Sequence, residues 1–209
     1  MIRWIAFDAD DTLWENETYY QSAQMKLKEI LRDVCAPEIV SETLLKTETA
    51  NIPLFGYGIK SFGLSMIETA IQLTQAQIPS TSIQLLLETL KEMVGTPPDI
   101  IAGVKETLSA LKAECNLMVI TKGYLLDQKR KYQNSGLAQF FAAFEVVNKK
   151  DEITYEEILR RYQIPVSQFM MVGNSLRSDV LPVVTIGAIG VLVQHELTWA
   201  HEQMINENL

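Results

Sequence analysis

The sequence predicts an α/β fold in which a doubly wound parallel sheet is interrupted by an inserted all-helical domain, and three observations carry that prediction. An apolar run at residues 2–7 stands alone before a long stretch, 15–95, that shows only helical periodicity. From Thr96 onward, short apolar runs alternate with helical stretches, the pattern of parallel strands joined by helical crossovers. Each of those apolar runs ends in polar residues suited to holding an anion or a cation.

The first run, Ile2-Arg3-Trp4-Ile5-Ala6-Phe7, stops abruptly at Asp8-Ala9-Asp10-Asp11-Thr12. Two carboxylates two positions apart at the tip of a buried strand are costly. Their desolvation and repulsion must be offset by a cation, a metal or strong hydrogen bonds. Open α/β sheets hold ligands at this place, outside the carboxyl ends of the strands.

Beyond Trp14, Tyr20, Ala23, Leu27, Ile30, Leu31 and Val34 recur at helical spacing until Pro37 stops the pattern. A short helix from Val40 to Glu48 follows. Ile59, Phe62, Met66, Ile67, Ala70, Ile71 and Thr74 mark the next stripe, and Ser80 or Thr81 is placed to cap a helix through Ile83, Leu86, Leu87, Leu90 and Val94. Gly56, Gly58 and Gly63, interleaved with Phe55, Tyr57 and Phe62, read as a substrate-facing loop or a turn between helices, with the loop favoured.

After Thr96-Pro97-Pro98-Asp99 come a helix with Val104, Leu108 and Leu111, a strand at Leu117–Ile120, and a helix from Leu125 to Ser135 ending at Gly136. Phe144–Val147 reads as a strand, Tyr155–Tyr162 as a helix, Phe169–Val172 as a strand, Leu176 as the start of a helix, and Ile189–Val193 as the last strand. The lone first strand most economically joins this sheet. Residues 1–14 and 96–209 then form one domain and 15–95 the insertion.

The chain has 209 residues, of which 47% are hydrophobic, enough for a substantial core. Its net charge of -8, with no basic stripe, argues against nucleic acid. The densest basic group, Lys129-Arg130-Lys131, reads as a solvated helix face. No apolar run approaches the roughly 20 residues that span a bilayer, and no charged-then-apolar leader opens the chain, so a cytoplasmic protein without membrane partners is expected. Cys35 and Cys115 are in no metal-ligand spacing and read as free buried thiols. His195 and His201, with Glu196, Trp199 and Glu202, match no standard ligand pair and read as a surface segment. Trp14 and Tyr19 read either as substrate contacts or as packing at the entry to the insertion.

If the strands are parallel, four termini share one crevice: Asp8 and Asp10; Thr121-Lys122-Gly123; Asn148-Lys149-Lys150; and Gly173-Asn174-Ser175 with Asp179 beyond. Together they offer carboxylates for a hard cation, a hydroxyl and backbone amides for phosphate oxygens, and an ammonium for residual charge. A calcium loop does not fit, because its glycine would fall at Leu13 and its bidentate glutamate at Tyr19. Thr121 and Asn174, taken singly, suit helix capping as well.

With these residues in order, the chain resembles the haloacid dehalogenase-like (HAD) hydrolase superfamily, in its phosphatase branch with a helical cap after the first motif. Asp8-x-Asp10-x-Thr12-Leu13 matches the first motif, Thr121 the second, Lys150 or Lys149 the third, and Gly173-Asn174-Ser175-x-x-x-Asp179 the fourth. The resemblance implies a Rossmann-like core and a magnesium-dependent phosphatase of small phosphorylated metabolites. Asp8 would be the nucleophile and Asp10 the general acid and base. Thr121, with Thr12, Lys122 and Gly123, would bind the phosphoryl group, and Lys150 would neutralise transition-state charge. Asp8, Asp10, Asn174 and Asp179 would form the metal site, with Asp179 either carrying a metal-bound water or orienting Lys150. Asn174 departs from the family's usual aspartate and removes one charge. Haloacid dehalogenation, or a binding role without turnover, are the alternatives; Asp10 speaks against the first and Asn174 for the second.

Overall fold

The computed structural model describes residues 1–194. The histidines and tryptophan of the carboxyl-terminal segment lie outside the described residues. The chain divides into two compact units, one made of Met1–Glu17 with the residues from Pro97 onward, the other of Thr18–Thr96.

The first unit is built on a parallel five-stranded sheet, as predicted. Its strands are β1 (Trp4–Phe7), β2 (Asn116–Lys122), β3 (Ala143–Val147), β4 (Phe169–Gly173) and β5 (Ile189–Leu192), in the order β3-β2-β1-β4-β5. Alternation along the strands assigns side chains to two faces. Ile5, Phe7, Leu117 and Val119 enter one core with Leu108 and Leu137, whereas Ala6, Met118 and Ile120 enter the other with Tyr155, Ile158, Leu159 and Val183. Helix α5 (Val104–Lys112) and Tyr132 of α6 (Leu125–Asn134) therefore serve the first face, and α7 (Glu152–Arg161) and α8 (Leu181–Thr185) the second.

Phe7 pairs with Val119 on one side and Val172 on the other, so the ends of β1, β2 and β4 lie level. The chain leaves β1 for β2 on one side and reaches β4 on the other, which makes the end of β1 a topological switch point. The segment leaving β1 and the segment returning at residue 99 are tied together, Glu15 N–H donating to Asp99 O at 2.8 Å and Ile101 N–H to Leu13 O at 3.2 Å.

The second unit holds α2 (Pro37–Phe55), α3 (Ile59–Leu73), α4 (Ser80–Gly95) and all but the first residue of α1 (Glu17–Ile30). Its core gathers Ala23, Leu27, Leu31, Leu44, Phe62, Met66 and Leu86. Four expectations are corrected here. The short helix at 40–48 extends over 19 residues, because Pro37 starts a helix as readily as it stops one and Pro53 falls in the last turn. Ser80 is the first helical residue of α4, with Pro79 at the cap and no capping side chain. The glycine-rich stretch is a tight turn, Gly56-Tyr57-Gly58, between α2 and α3; Gly63 lies inside α3, where a Cβ would come within 2.3 Å of Leu90. Both cysteines are free and half-buried rather than fully buried.

Candidate active site

Asp8 follows β1 directly and is anchored by its own backbone, its N–H donating to Val172 O at 2.8 Å. Its carboxylate accepts a hydrogen bond from the Lys150 ammonium, which donates also to Asp179 Oδ1 at 2.6 Å. Lys150 is buried and Lys149 exposed, so of the two candidates it is Lys150 that meets Asp8. Asp151 explains why: it caps α7, accepting from Thr154 N–H at 2.9 Å, and so starts the helix one residue after Lys150.

Asp179 is fully buried, and its second oxygen accepts from Ser175 N–H at 3.0 Å. Of the two roles the sequence leaves open for it, its contacts match the orientation of Lys150. A carboxylate oxygen has lone pairs for more than one partner, so these two hydrogen bonds are compatible with its expected place among the metal ligands. Gly173 makes this packing possible. A Cβ there would come within 2.3 Å of Asp179 Cγ and Oδ2. Gly173→Ala is therefore expected to cost about 1–3 kcal/mol, measured by denaturant unfolding. A variant as stable as the parent would show that Asp179 is not locked in place.

Asp10 is half-buried and turned to a different set of partners. Trp14 Nε1 and Lys131 Nζ donate to its Oδ1 at 2.7 and 2.8 Å, and Gln128 Nε2 donates to its Oδ2 at 2.8 Å. With this network one expectation falls, and of the two readings of Trp14 the packing one holds. Lys131 is not on a solvated face, because its ammonium bridges Asp10 Oδ1 and Asn16 Oδ1. Trp14 is fully buried, so it packs and hydrogen-bonds inside the unit and is not exposed to a substrate. Asp11, to which the sequence reading gave no role, accepts from the N–H groups of Asn16 and Glu17 at 2.8 and 3.0 Å.

Thr121 is the penultimate residue of β2, buried and accepting from Gln128 Nε2 at 3.0 Å. Neither Thr121 nor Asn174 caps a helix: Tyr124 stands at the start of α6, and Ser175 caps the next turn by accepting from Ser178 N–H. Gly123 has φ +133, a backbone that side-chain-bearing residues rarely adopt, and a Cβ there would press on Gln128 at 3.2 Å. Lys122 Nζ donates to Ser178 Oγ at 2.9 Å, tying the β2 loop to the β4 loop. The helix expected at Leu176 opens as a π-helical turn, Leu176–Val180, before α8. Pro182 has no N–H to give to Ser178 O, and Tyr155 Oη donates to that carbonyl instead, at 2.9 Å.

The charges separate the two first-motif carboxyls. Burial pushes Asp8 up to about 7; Lys150 opposes this and the Asp179 charge adds to it. Burial also works to raise Asp10, but the Lys131 ammonium and the hydrogen bonds from Lys131, Gln128 and Trp14 outweigh it and hold the carboxyl below the usual range. Burial works against the Lys150 ammonium too, yet Asp179 and Asp8 outweigh it and hold lysine protonated beyond its ordinary range. Burial and the Asp179 charge thus disfavour the Asp8 anion, which lacks enough positive charge beside it. Its carboxylate, the Asp10 backbone carbonyl and the Asn174 side-chain carbonyl are hard oxygen donors of the kind a magnesium ion takes. Thr12 Oγ1 donates to Asn174 Oδ1 at 3.4 Å, which keeps that carbonyl beside the first-motif loop. Among the described residues, no three acidic, histidine or cysteine side chains gather as a metal cluster.

An α/β sheet with a carboxylate at its switch point, a buried lysine on that carboxylate and a helical insertion after the first strand defines a class of hydrolase. The chain belongs to the haloacid dehalogenase-like hydrolases, whose family model matches residues 2–183. A solved haloacid dehalogenase-like family hydrolase from Xanthomonas campestris is 42% identical, with a TM-score of 0.88 over 92% of this chain and 82% of that one. The glyceraldehyde 3-phosphate phosphatase of Methanothermobacter thermautotrophicus is 25% identical over all of this chain (100%) and 92% of its own length. The HAD hydrolase YfnB of Bacillus subtilis, solved bound to magnesium, shares the fold with a TM-score of 0.65 at 16% identity, over 96% of this chain and 91% of that one. No helix among the described residues is long and apolar enough to cross a membrane.

Proposed function

We propose that the chain is a magnesium-dependent phosphatase of a small phosphorylated metabolite and works through an aspartyl-phosphate on Asp8. The observation that carries this reading is the second carboxylate. Asp10 is gripped by three donors, one of which, Gln128, also bonds the phosphate-binding candidate Thr121. A halide leaves carbon without a proton; an alkoxide leaving phosphorus needs a group that supplies one. The phosphatase activity named for the Methanothermobacter relative supports the same reading.

With Lys150 on its Oδ1, Asp8 attacks phosphorus through its other oxygen, and the phosphorus–oxygen bond to the leaving group breaks. The Thr121 hydroxyl, the amides around Lys122 and Gly123, and the Lys150 ammonium take the charge that builds on the phosphoryl oxygens. Asp10 gives a proton to the leaving oxygen and then takes one from the water that hydrolyses the acyl phosphate. As held here, Asp10 is an anion and so is already set for the second step; for the first it must bind a proton, which a weaker hold by Lys131 favours. The Asp8 carboxylate, the Asp10 backbone carbonyl, the Asn174 side-chain carbonyl and Asp179 would hold magnesium, which would supply positive charge beside Asp8 and the anionic phosphate.

The test is release of phosphate from p-nitrophenyl phosphate and from a panel of phosphorylated metabolites, with magnesium and with a chelator. Magnesium-dependent turnover is the expected result. Chloride release from a 2-haloacid without metal would replace the phosphatase reading with dehalogenation, and no turnover of any ester would leave a binding role.

A further inference from the structure

We propose that Gln128 is a positioning residue of this site, one that fixes the Asp10 carboxylate and the Thr121 hydroxyl relative to each other; this rests on the phosphatase reading above. Gln128 is one turn into α6 and 4% exposed, and its Nε2 lies 2.8 Å from Asp10 Oδ2, 3.0 Å from Thr121 Oγ1 and 2.7 Å from Lys122 O. Two N–H hydrogens therefore serve three acceptors. All three belong to the two loops that carry the proton-transfer and phosphate-binding candidates.

The chemistry of the amide decides what this does. Nε2 can only donate, so Thr121 Oγ1 must use a lone pair to receive it, and its own hydrogen is left to point elsewhere. In the present state that hydrogen is directed at Lys122 O over a long 3.3 Å. A phosphoryl oxygen is a far stronger acceptor than that carbonyl. Gln128 thus presets the hydroxyl as a donor to phosphate. Its hold on Asp10 Oδ2, opposite the Lys131 and Trp14 hold on Oδ1, fixes the plane of the carboxylate.

A purely structural glutamine would not be expected in this arrangement. Its Oε1 is buried with no donor among the described residues, which costs about 1–3 kcal/mol. Turning the amide over would let Oε1 accept from the Thr121 hydroxyl but would set it against Asp10 Oδ2 and Lys122 O, which can only accept. Buried polar groups are otherwise paired. The loop also bends to admit the side chain: Gly123 at φ +133 leaves room for Gln128 that any Cβ would take. Lys131, three residues on, shares the same helix face and the same carboxylate.

The experiment compares the wild-type chain with Gln128→Met, which keeps the volume and removes the donors, and Gln128→Glu, which offers Asp10 and Thr121 an acceptor. Each is assayed with magnesium on p-nitrophenyl phosphate, whose leaving group departs without a proton, and on glycerol phosphate, whose leaving group needs one. Gln128→Met is expected to lower kcat on glycerol phosphate by roughly 10–100-fold and on the aryl ester several-fold less, with KM little changed on either. Gln128→Glu is expected to lose more. Unchanged kcat on both esters, or an equal loss on both, overturns the proposal, since equal loss is what general loosening produces. A measurement on the wild type covers variants that do not fold. The Gln128 amide protons should exchange slowly in NMR and shift in Asp10→Asn, and rapid exchange would overturn the assignment. A wild-type chain inactive on both esters and on the metabolite panel removes the phosphatase reading and this inference with it, an outcome distinct from an active wild type with indifferent variants.

Discussion

Asp8→Asn is expected to lower phosphate release by roughly 10⁴-fold or more while leaving the fold intact. The amide keeps the shape of the carboxylate and can still accept from Lys150, but it cannot attack phosphorus. The stability consequence has a definite sign. The folded carboxyl is raised above its ordinary value, to about 7, chiefly by burial. A raised carboxyl favours the folded state while it is protonated, and that contribution is lost as pH climbs from the ordinary carboxylate range through about 7. Without divalent cation, the wild type should therefore lose stability over that window and Asp8→Asn should not. At pH 8 the variant should be the more stable by on the order of 1 kcal/mol. Thermal unfolding of both chains in chelator across pH 4–8 checks this, and parallel curves would mean that Asp8 does not carry an uncompensated charge.

The outline of this site was legible in the sequence because parallel strands bring their carboxyl ends together whatever lies between them. Asp8, Thr121 and Asn174 stand where an apolar run gives way to polar residues, and order along the chain does the rest; Lys150 stands three residues past its run, and the sequence leaves it open against Lys149. The network around Asp10 was not legible, and α6 shows why. Leu125 and Leu126 are 62% and 61% exposed, whereas Asp127 and Gln128 are 5% and 4% exposed, the reverse of what hydrophobic periodicity expects. The first turn of α6 faces a polar loop, so its buried side is polar. Lys131 was misread for the same reason: a lysine beside Lys129 and Arg130 looks solvated unless the carboxylate it reaches, 121 positions away, is known. The one local signal was the spacing of Gln128 and Lys131 at i and i+3, which puts two long donors on a single face. Trp14 offered no signal beyond its type, since an indole N–H becomes a reporter only once its partner is placed.

Lys150→Met is expected to be harmful to both activity and stability, and here the contrast with Asp8→Asn is informative. Lys150 is 6% exposed and is the cation between Asp8 and Asp179. Removing it leaves the two buried carboxylates facing one another without a counter-ion, and truncating one member of such a cluster typically costs about 3–5 kcal/mol. Methionine matches the lysine stem, so packing is not the cause of the loss. The folded ammonium is held above its ordinary range by Asp179 and Asp8 against the pull of burial. Its stabilising contribution is therefore fully present at neutral pH and is lost only as pH rises past the ordinary lysine value. Arginine should not rescue the variant, because a wide guanidinium fork does not fit where a compact ammonium bonds two carboxylates at once. Denaturant midpoints and phosphate release measured on Lys150→Met, Lys150→Arg and Lys149→Met test the assignment together. Lys149 is exposed, so its variant should retain both stability and turnover. If Lys149→Met proved the damaging change and Lys150→Met the silent one, the third-motif role would belong to the neighbouring lysine.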